Sequence, residues 1–110
     1  MKQTRTYSRS TLEAAQLLGS QVALARRERR WSMRELAERA GITLPTLSKV
    51  ERGDPTVSLG VAFEVATLVG VPLFYEDLTR LTLDLDRTRA RAALLPQRVR
   101  VPAEGLRDDF

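Results

Sequence analysis

The sequence predicts an all-α protein, and three observations carry that expectation. Apolar side chains recur at three- and four-residue spacing along most of the chain. Capping and helix-stopping residues bracket those runs. Hydrophobic residues make up 43% of the 110 residues but aromatics only 5%. The core must therefore be built mainly from Leu, Val and Ala, which suits helices better than a β-sandwich. A chain of this length is expected to hold one domain with short extensions. The pattern divides into a basic arm at 1–9, a helical domain at 10–77, a helical extension at 78–95 and a flexible tail at 96–110.

Ser10 or Thr11 is suited to cap a long first helix, with Leu12, Ala15, Leu18, Val22 and Ala25 inward, ending among Arg26, Arg27, Arg29 and Arg30. After Trp31, Ser32-Met33-Arg34-Glu35 reads as a capping box, in which hydroxyl and carboxylate each satisfy the other residue's backbone N–H. Such a cap contributes roughly 0.5–2 kcal/mol. It opens a helix from Met33 to Ala40 with Leu36, Ala37 and Ala40 inward, stopped at Gly41. Thr43 caps the next helix, Leu44 and Pro45 fill its first turn, and Leu47 and Val50 face inward. Gly53-Asp54-Pro55 ends it.

Ser58 caps a fourth helix with Leu59, Ala62, Phe63, Ala66 and Val69 on one side, closed by Gly70, and Pro72 is placed to open a fifth. From Leu78 the series Leu78, Leu81, Leu85, Thr88, Ala92, Leu95 steps by threes and fours, a heptad seam with a polar gap at Thr88. Leu81, Leu83 and Leu85 also alternate as a strand would. The seam outruns that alternation, which favours a helix. Pro96 ends it.

Charge and composition exclude several functions. Net charge is +4, and residues 1–31 carry seven basic and two acidic side chains against four and five over 32–70. The positive field therefore sits on the first helix and its arm, a mild pointer to nucleic acid. With no histidine and no cysteine, the commonest general base and the thiolate zinc site are both missing. Asp84 and Asp86 are a close acidic pair, but on a helix they point about 200° apart. Asp108 and Asp109 lie in the tail, and no glycine-rich phosphate loop occurs. The chain is not expected to be an enzyme, and it implies no metal or cofactor. No apolar run approaches the roughly 18 residues of a membrane span, and the basic N-terminus has no apolar signal core behind it. A cytoplasmic protein is expected.

Two short helices joined through Gly41, with others completing a core, make a helix-turn-helix. Ala37 lets the two helices approach, Gly41 relieves the sharp turn, and Ile42 plugs the gap between them. Leu18 to Leu73 resembles the λ-repressor/Cro-like (Xre) family. The residues that carry the resemblance are Glu35-Leu36-Ala37-Glu38, Gly41-Ile42-Thr43, Thr46-Leu47-Ser48, Glu51-Arg52-Gly53 and Leu68-Val69-Gly70-Val71-Pro72. The resemblance implies a five-helix domain whose third helix enters the DNA major groove, with the helical extension behind it.

It further implies that Thr43, Leu44, Pro45, Thr46 and Lys49 face the groove. Lys49 suits guanine O6 and N7, and Leu44 and Pro45 suit thymine methyls. Thr43, Ser48 and Arg52 suit phosphate. Thr43 is equally a cap, and Pro45 equally a helix starter. The family usually carries Gln after the cap of the second helix, where it bonds a phosphate. Met33 stands there instead, leaving Ser32, Arg34 and Arg30 as candidates for that contact. The family's salt bridge between the first helix and the end of the third falls on Arg26 and Glu51.

The whole chain, with its arm Met1–Arg9 and its ending from Arg98-Val99-Arg100 to Asp108-Asp109-Phe110, is also similar to HipB-type antitoxins encoded beside HipA-like serine/threonine kinases. That likeness implies a bacterial repressor of its own operon that binds a kinase toxin, with Phe110 as an anchor. A stand-alone regulator and a protein-interaction module without DNA are the alternatives. A single small module covers little DNA, so a homodimer on a palindromic operator is expected. Its recognition helices would lie about 34 Å apart. Leu78, Leu81, Leu85 and Ala92 are the candidate dimer contacts, the alternative being that this seam packs back on the first helix. The arm, with Lys2, Arg5 and Arg9 around Tyr7, is either a DNA-tracking arm or a free tail.

Overall fold

A computed structural model describes residues 6–99 and shows five helices: α1 Arg9–Glu28, α2 Met33–Ala40, α3 Leu44–Arg52, α4 Leu59–Leu68 and α5 Leu78–Ala93. The all-α class is as the sequence predicts. The chain forms two compact units, Met1–Phe74 and Tyr75–Phe110. No helix among the described residues is long and apolar enough to cross a membrane.

In the first unit, α1 to α4 enclose a core of Val22, Leu36, Ala37, Leu47, Val50, Val65, Ala66, Val69 and Val71. These are the small apolar residues that a chain poor in aromatics has to use. Several placements differ from the sequence expectation, among them Leu12, which is exposed and not inward. Helix α1 is capped by Ser8, whose Oγ accepts from the Thr11 N–H at 3.2 Å, and not by Ser10 or Thr11. The Arg9–Glu13 pair at 3.0 Å bridges one turn, so Arg9 belongs to the helix. Leu59 is 68% exposed: it is the first residue of α4, two turns from the buried Val65 and Ala66 near the helix end, although it shares a face with Ala66. No helix opens at Pro72: Phe74 adopts φ 71°, which breaks a helical path, and the next helix begins only where Asp77 caps it.

Each of the four helices of this unit ends in the same way. A residue one or two positions past the helix turns left-handed, and the following N–H reaches back five residues to a carbonyl. Ile42 bonds Ala37 O at 3.0 Å, Asp54 bonds Lys49 O at 3.0 Å, and Val71 bonds Ala66 O at 2.8 Å. Their left-handed residues are Gly41, Gly53 and Gly70. At the end of α1, Trp31 bonds Arg26 O at 3.1 Å, but the left-handed residue is Arg30, at φ 60°. A side chain there opposes the conformation by about 1–2 kcal/mol.

The second unit is simpler. The Asp77 Oδ1 accepts from the Thr79 N–H at 2.9 Å and opens α5. The Tyr75 hydroxyl donates to Asp84 at 2.6 Å, and the Arg80 guanidinium lies over the Tyr75 ring at 4.9 Å. The Asp84 carboxylate holds the Tyr75 hydroxyl above the usual phenol range. The strand alternative for Leu81–Leu85 is overturned, because α5 runs unbroken across it. No residue of α5 is buried.

Replacing Arg30 by Gly is expected to raise unfolding free energy by about 0.5–1 kcal/mol, the left-handed cost less glycine's entropy. Denaturant unfolding checks it. Replacing Gly41, where an added Cβ meets nothing within 4 Å, by Ala should lower stability through backbone strain alone.

Candidate nucleic-acid interface

The turn between α2 and α3 fixes the candidate surface. Gly41 at φ 69° reverses the chain, half-buried Ile42 packs on the core, and Thr43 starts α3 by accepting from the Thr46 N–H at 3.3 Å. Along α3, Leu47 and Val50 are buried and Leu44 is 37% exposed. Pro45, Lys49 and Arg52 are exposed. Their spacing of four and three sets them in one outward row, opposite Leu47 and Val50.

A close seam with α1 holds α3 in place. A Cβ on Gly19 of α1 would collide with the Val50 carbonyl oxygen and lie 2.8 Å from Glu51 O. A Cβ on Gly53 would lie 2.5 Å from the Gln16 Cα. Backbone therefore meets backbone here. Beside this contact the Arg26 guanidinium spends all three nitrogens: Nε donates to Glu51 Oε2 at 2.7 Å, Nη2 to Glu51 Oε1 at 3.1 Å and Nη1 to Trp31 O at 2.9 Å. Both side chains are about nine-tenths buried. The two-pronged geometry gives direction as well as attraction. One side chain thus ties α1, the turn after it and α3 together. The Trp31 ring lies under Arg39 at 4.1 Å and Arg29 at 5.8 Å.

The candidate contact residues fall into distinct situations. Lys49 is exposed and makes no ion pair among the described residues. Arg52 Nη1 lies 3.5 Å from Ser48 Oγ, a long contact that leaves most of the guanidinium free. The Thr43 and Thr46 hydroxyls bond each other at 2.9 Å, so Thr43 serves as the cap whatever else it does. At the start of α2, Ser32 Oγ accepts from Glu35 N at 3.0 Å and Glu35 Oε1 accepts from Ser32 N at 2.8 Å. The Ser32 backbone N–H, then its hydroxyl, hold the Glu35 carboxyl below the usual range. Met33 packs against the core, while Arg34 and Arg30 are exposed around this helix start. Amides at a helix start, with cations beside them, favour an anion.

Gly19, Gly53 and the Arg29–Trp31–Arg39 stack belong to the site beyond the residues the sequence points to. A lone glycine amid Leu and Ala in α1 was the available signal for the first. The stack carried none. Of the candidate docking and arm residues, Phe110, Lys2 and Arg5 lie outside the described residues. No group of three or more potential metal-ligating side chains occurs among the described residues.

A core-anchored helix, a left-handed glycine turn and an exposed polar row define a helix-turn-helix domain. Residues 22–75, just under half of the chain, match the model of the helix-turn-helix family, a DNA-binding regulatory module. The match covers the last third of α1 and all of α2 to α4, and it supports the λ-repressor/Cro-like resemblance. Comparison with curated proteins and with solved structures returns no match.

Removing Arg26 strands the Glu51 carboxylate in a buried position, which is expected to cost roughly 3–5 kcal/mol. Arg26→Ala should therefore lower the melting temperature well below that of Arg29→Ala, which loses only an exposed cation and its ring contact. Equal melting temperatures would contradict the assigned role.

Proposed function

We propose that this chain is a sequence-specific DNA-binding transcriptional repressor that works as a homodimer on a palindromic operator. The observation that carries this reading is the division of α3: its inner face is fixed against α1 and the core, and its outer row is free. On this reading Lys49 donates to guanine O6 and N7 while Leu44 and Pro45 lie against thymine methyls. Thr46 faces the groove beside them, and Arg52, Ser48 and Thr43 hold one phosphate region. Ser32, Arg34 and Arg30 hold another, in the place of the glutamine that Met33 replaces.

The dimer reading rests on α5, whose apolar seam is exposed: Leu78 is 74% exposed and Leu85 46%. A free apolar row of that kind on a small protein marks an association surface. An antitoxin role, with a HipA-like kinase as partner, rests only on the likeness of the terminal segments. A kinase that co-purifies with the full chain from its native host, and not with a chain ending at Leu95, supports it. No kinase in cells expressing the neighbouring genes leaves a stand-alone regulator.

Binding to a duplex from upstream of the chain's own gene tests the main proposal. Three cations in each subunit, Arg30, Arg34 and Arg52, predict about a thousandfold loss of affinity between 50 and 200 mM salt. Lys49→Ala should cost about 1–3 kcal/mol on the specific site and little on random DNA. A flat salt response would favour a protein-interaction module instead. Leu81→Lys with Leu85→Lys should give a folded monomer that binds the operator weakly; general unfolding would place the seam in a core.

A further inference from the structure

The seam on α5 is not uniform along its length. Its first half is a ridge of Leu78, Leu81 and Leu85. Its second half is a shallow apolar hollow of about 440 Å³, lined by Thr88, Arg91, Ala92, Leu94 and Leu95. The small side chains at Thr88 and Ala92 leave that space, and the larger ones beyond them form its rim. Ridge and hollow lie on one face of one helix, at heptad spacing.

We propose that a second copy of this chain fills the hollow, its α5 running antiparallel to the first. This rests on the dimer reading above and adds its direction and register. A two-fold axis between Leu85 and Thr88 sets Leu85 opposite Thr88 of the partner subunit and Leu81 opposite Ala92 of the partner subunit. Each ridge then enters a hollow, and by symmetry the same contact is made twice. Parallel helices would instead set Thr88 on Thr88 and Ala92 on Ala92, leaving hollow against hollow at one end. Close packing disfavours that void.

Charge supports the second copy as occupant. Residues 76–86 carry Glu76, Asp77, Asp84 and Asp86 against Arg80 alone, while 87–98 carry Arg87, Arg89, Arg91 and Arg98 with no acid. Asp84 and Arg91 lie seven residues apart on one flank of the seam, so antiparallel pairing brings Asp84 to Arg91 of the partner subunit. Asp84 gives one oxygen to Tyr75, at 2.6 Å, and keeps the other free for that contact. Charge does not choose the direction, since parallel helices would set Asp84 against Arg89. Shape chooses it.

The chain has no cysteine, so a single introduced thiol reports on one place. Leu81→Cys and Ala92→Cys would be oxidised separately and as an equimolar mixture of the full-length proteins, with the oligomeric state of the unmodified chain measured by sedimentation. The antiparallel pairing predicts a cross-linked dimer in the mixture, containing one chain of each kind by mass spectrometry. Neither variant alone should cross-link appreciably, because like positions lie eleven residues apart along the axis, about 16 Å. Efficient cross-linking of each variant alone keeps the dimer and overturns the direction. A dimer that cross-links in no sample overturns the register. A monomeric unmodified chain removes the dimer itself, and the pairing with it.

Discussion

The fold depends on how closely α3 is held against α1. Gly19 and Gly53 bring the two backbones into contact, and the Arg26–Glu51 pair locks the crossing from the side. Both are constraints of geometry before they are sources of stability. A buried ion pair contributes little net free energy, because desolvation offsets its attraction. What it supplies is direction: two parallel hydrogen bonds admit one arrangement of the helices, and the third bond, to Trp31 O, fixes the chain as it leaves α1.

Holding α3 from one side leaves its other side available. Leu47 and Val50 give the helix its anchor, and the turn at Gly41 fixes where it begins. The row of Pro45, Lys49 and Arg52 therefore sits on a rigid element, its position set by core packing. The four similar helix ends act to the same purpose, since each turns the chain left-handed within two residues and satisfies carbonyls that would otherwise be unpaired. Three of those ends use glycine, and one forces Arg30 into the left-handed region beside the start of α2. Strain kept at such a place is consistent with a side chain retained for contact.

Much of this was legible in the sequence, and the reason is local. The capping box at Ser32, the cap at Thr43, the glycine stops and the inward Leu36, Ala37, Leu47 and Val50 are all set by neighbours within a turn of helix. What was misread depended on longer reach. Leu59 has the right spacing to be buried, but it stands at the first residue of its helix, two turns before the buried Val65 and Ala66. Pro72 is a good helix opener, but Phe74 turns the chain, and its ring meets Phe63 edge-on at 6.5 Å. Gly19 matters because of α3, more than thirty positions away, and no local rule reports that. In the candidate site the outward row follows from helical period alone. The stacking of Arg29 and Arg39 on Trp31 needed the fold.

The central claim is that the outer face of α3, together with the start of α2, is the surface that meets DNA. Amide hydrogen exchange of the full-length chain, with and without a duplex from upstream of its own gene, tests it directly. The account predicts slowed exchange over residues 32–35 and 43–49, with α5 unchanged by DNA. Complex formation that protects α5 or the outer face of α1, and leaves those two stretches as they were, would contradict it.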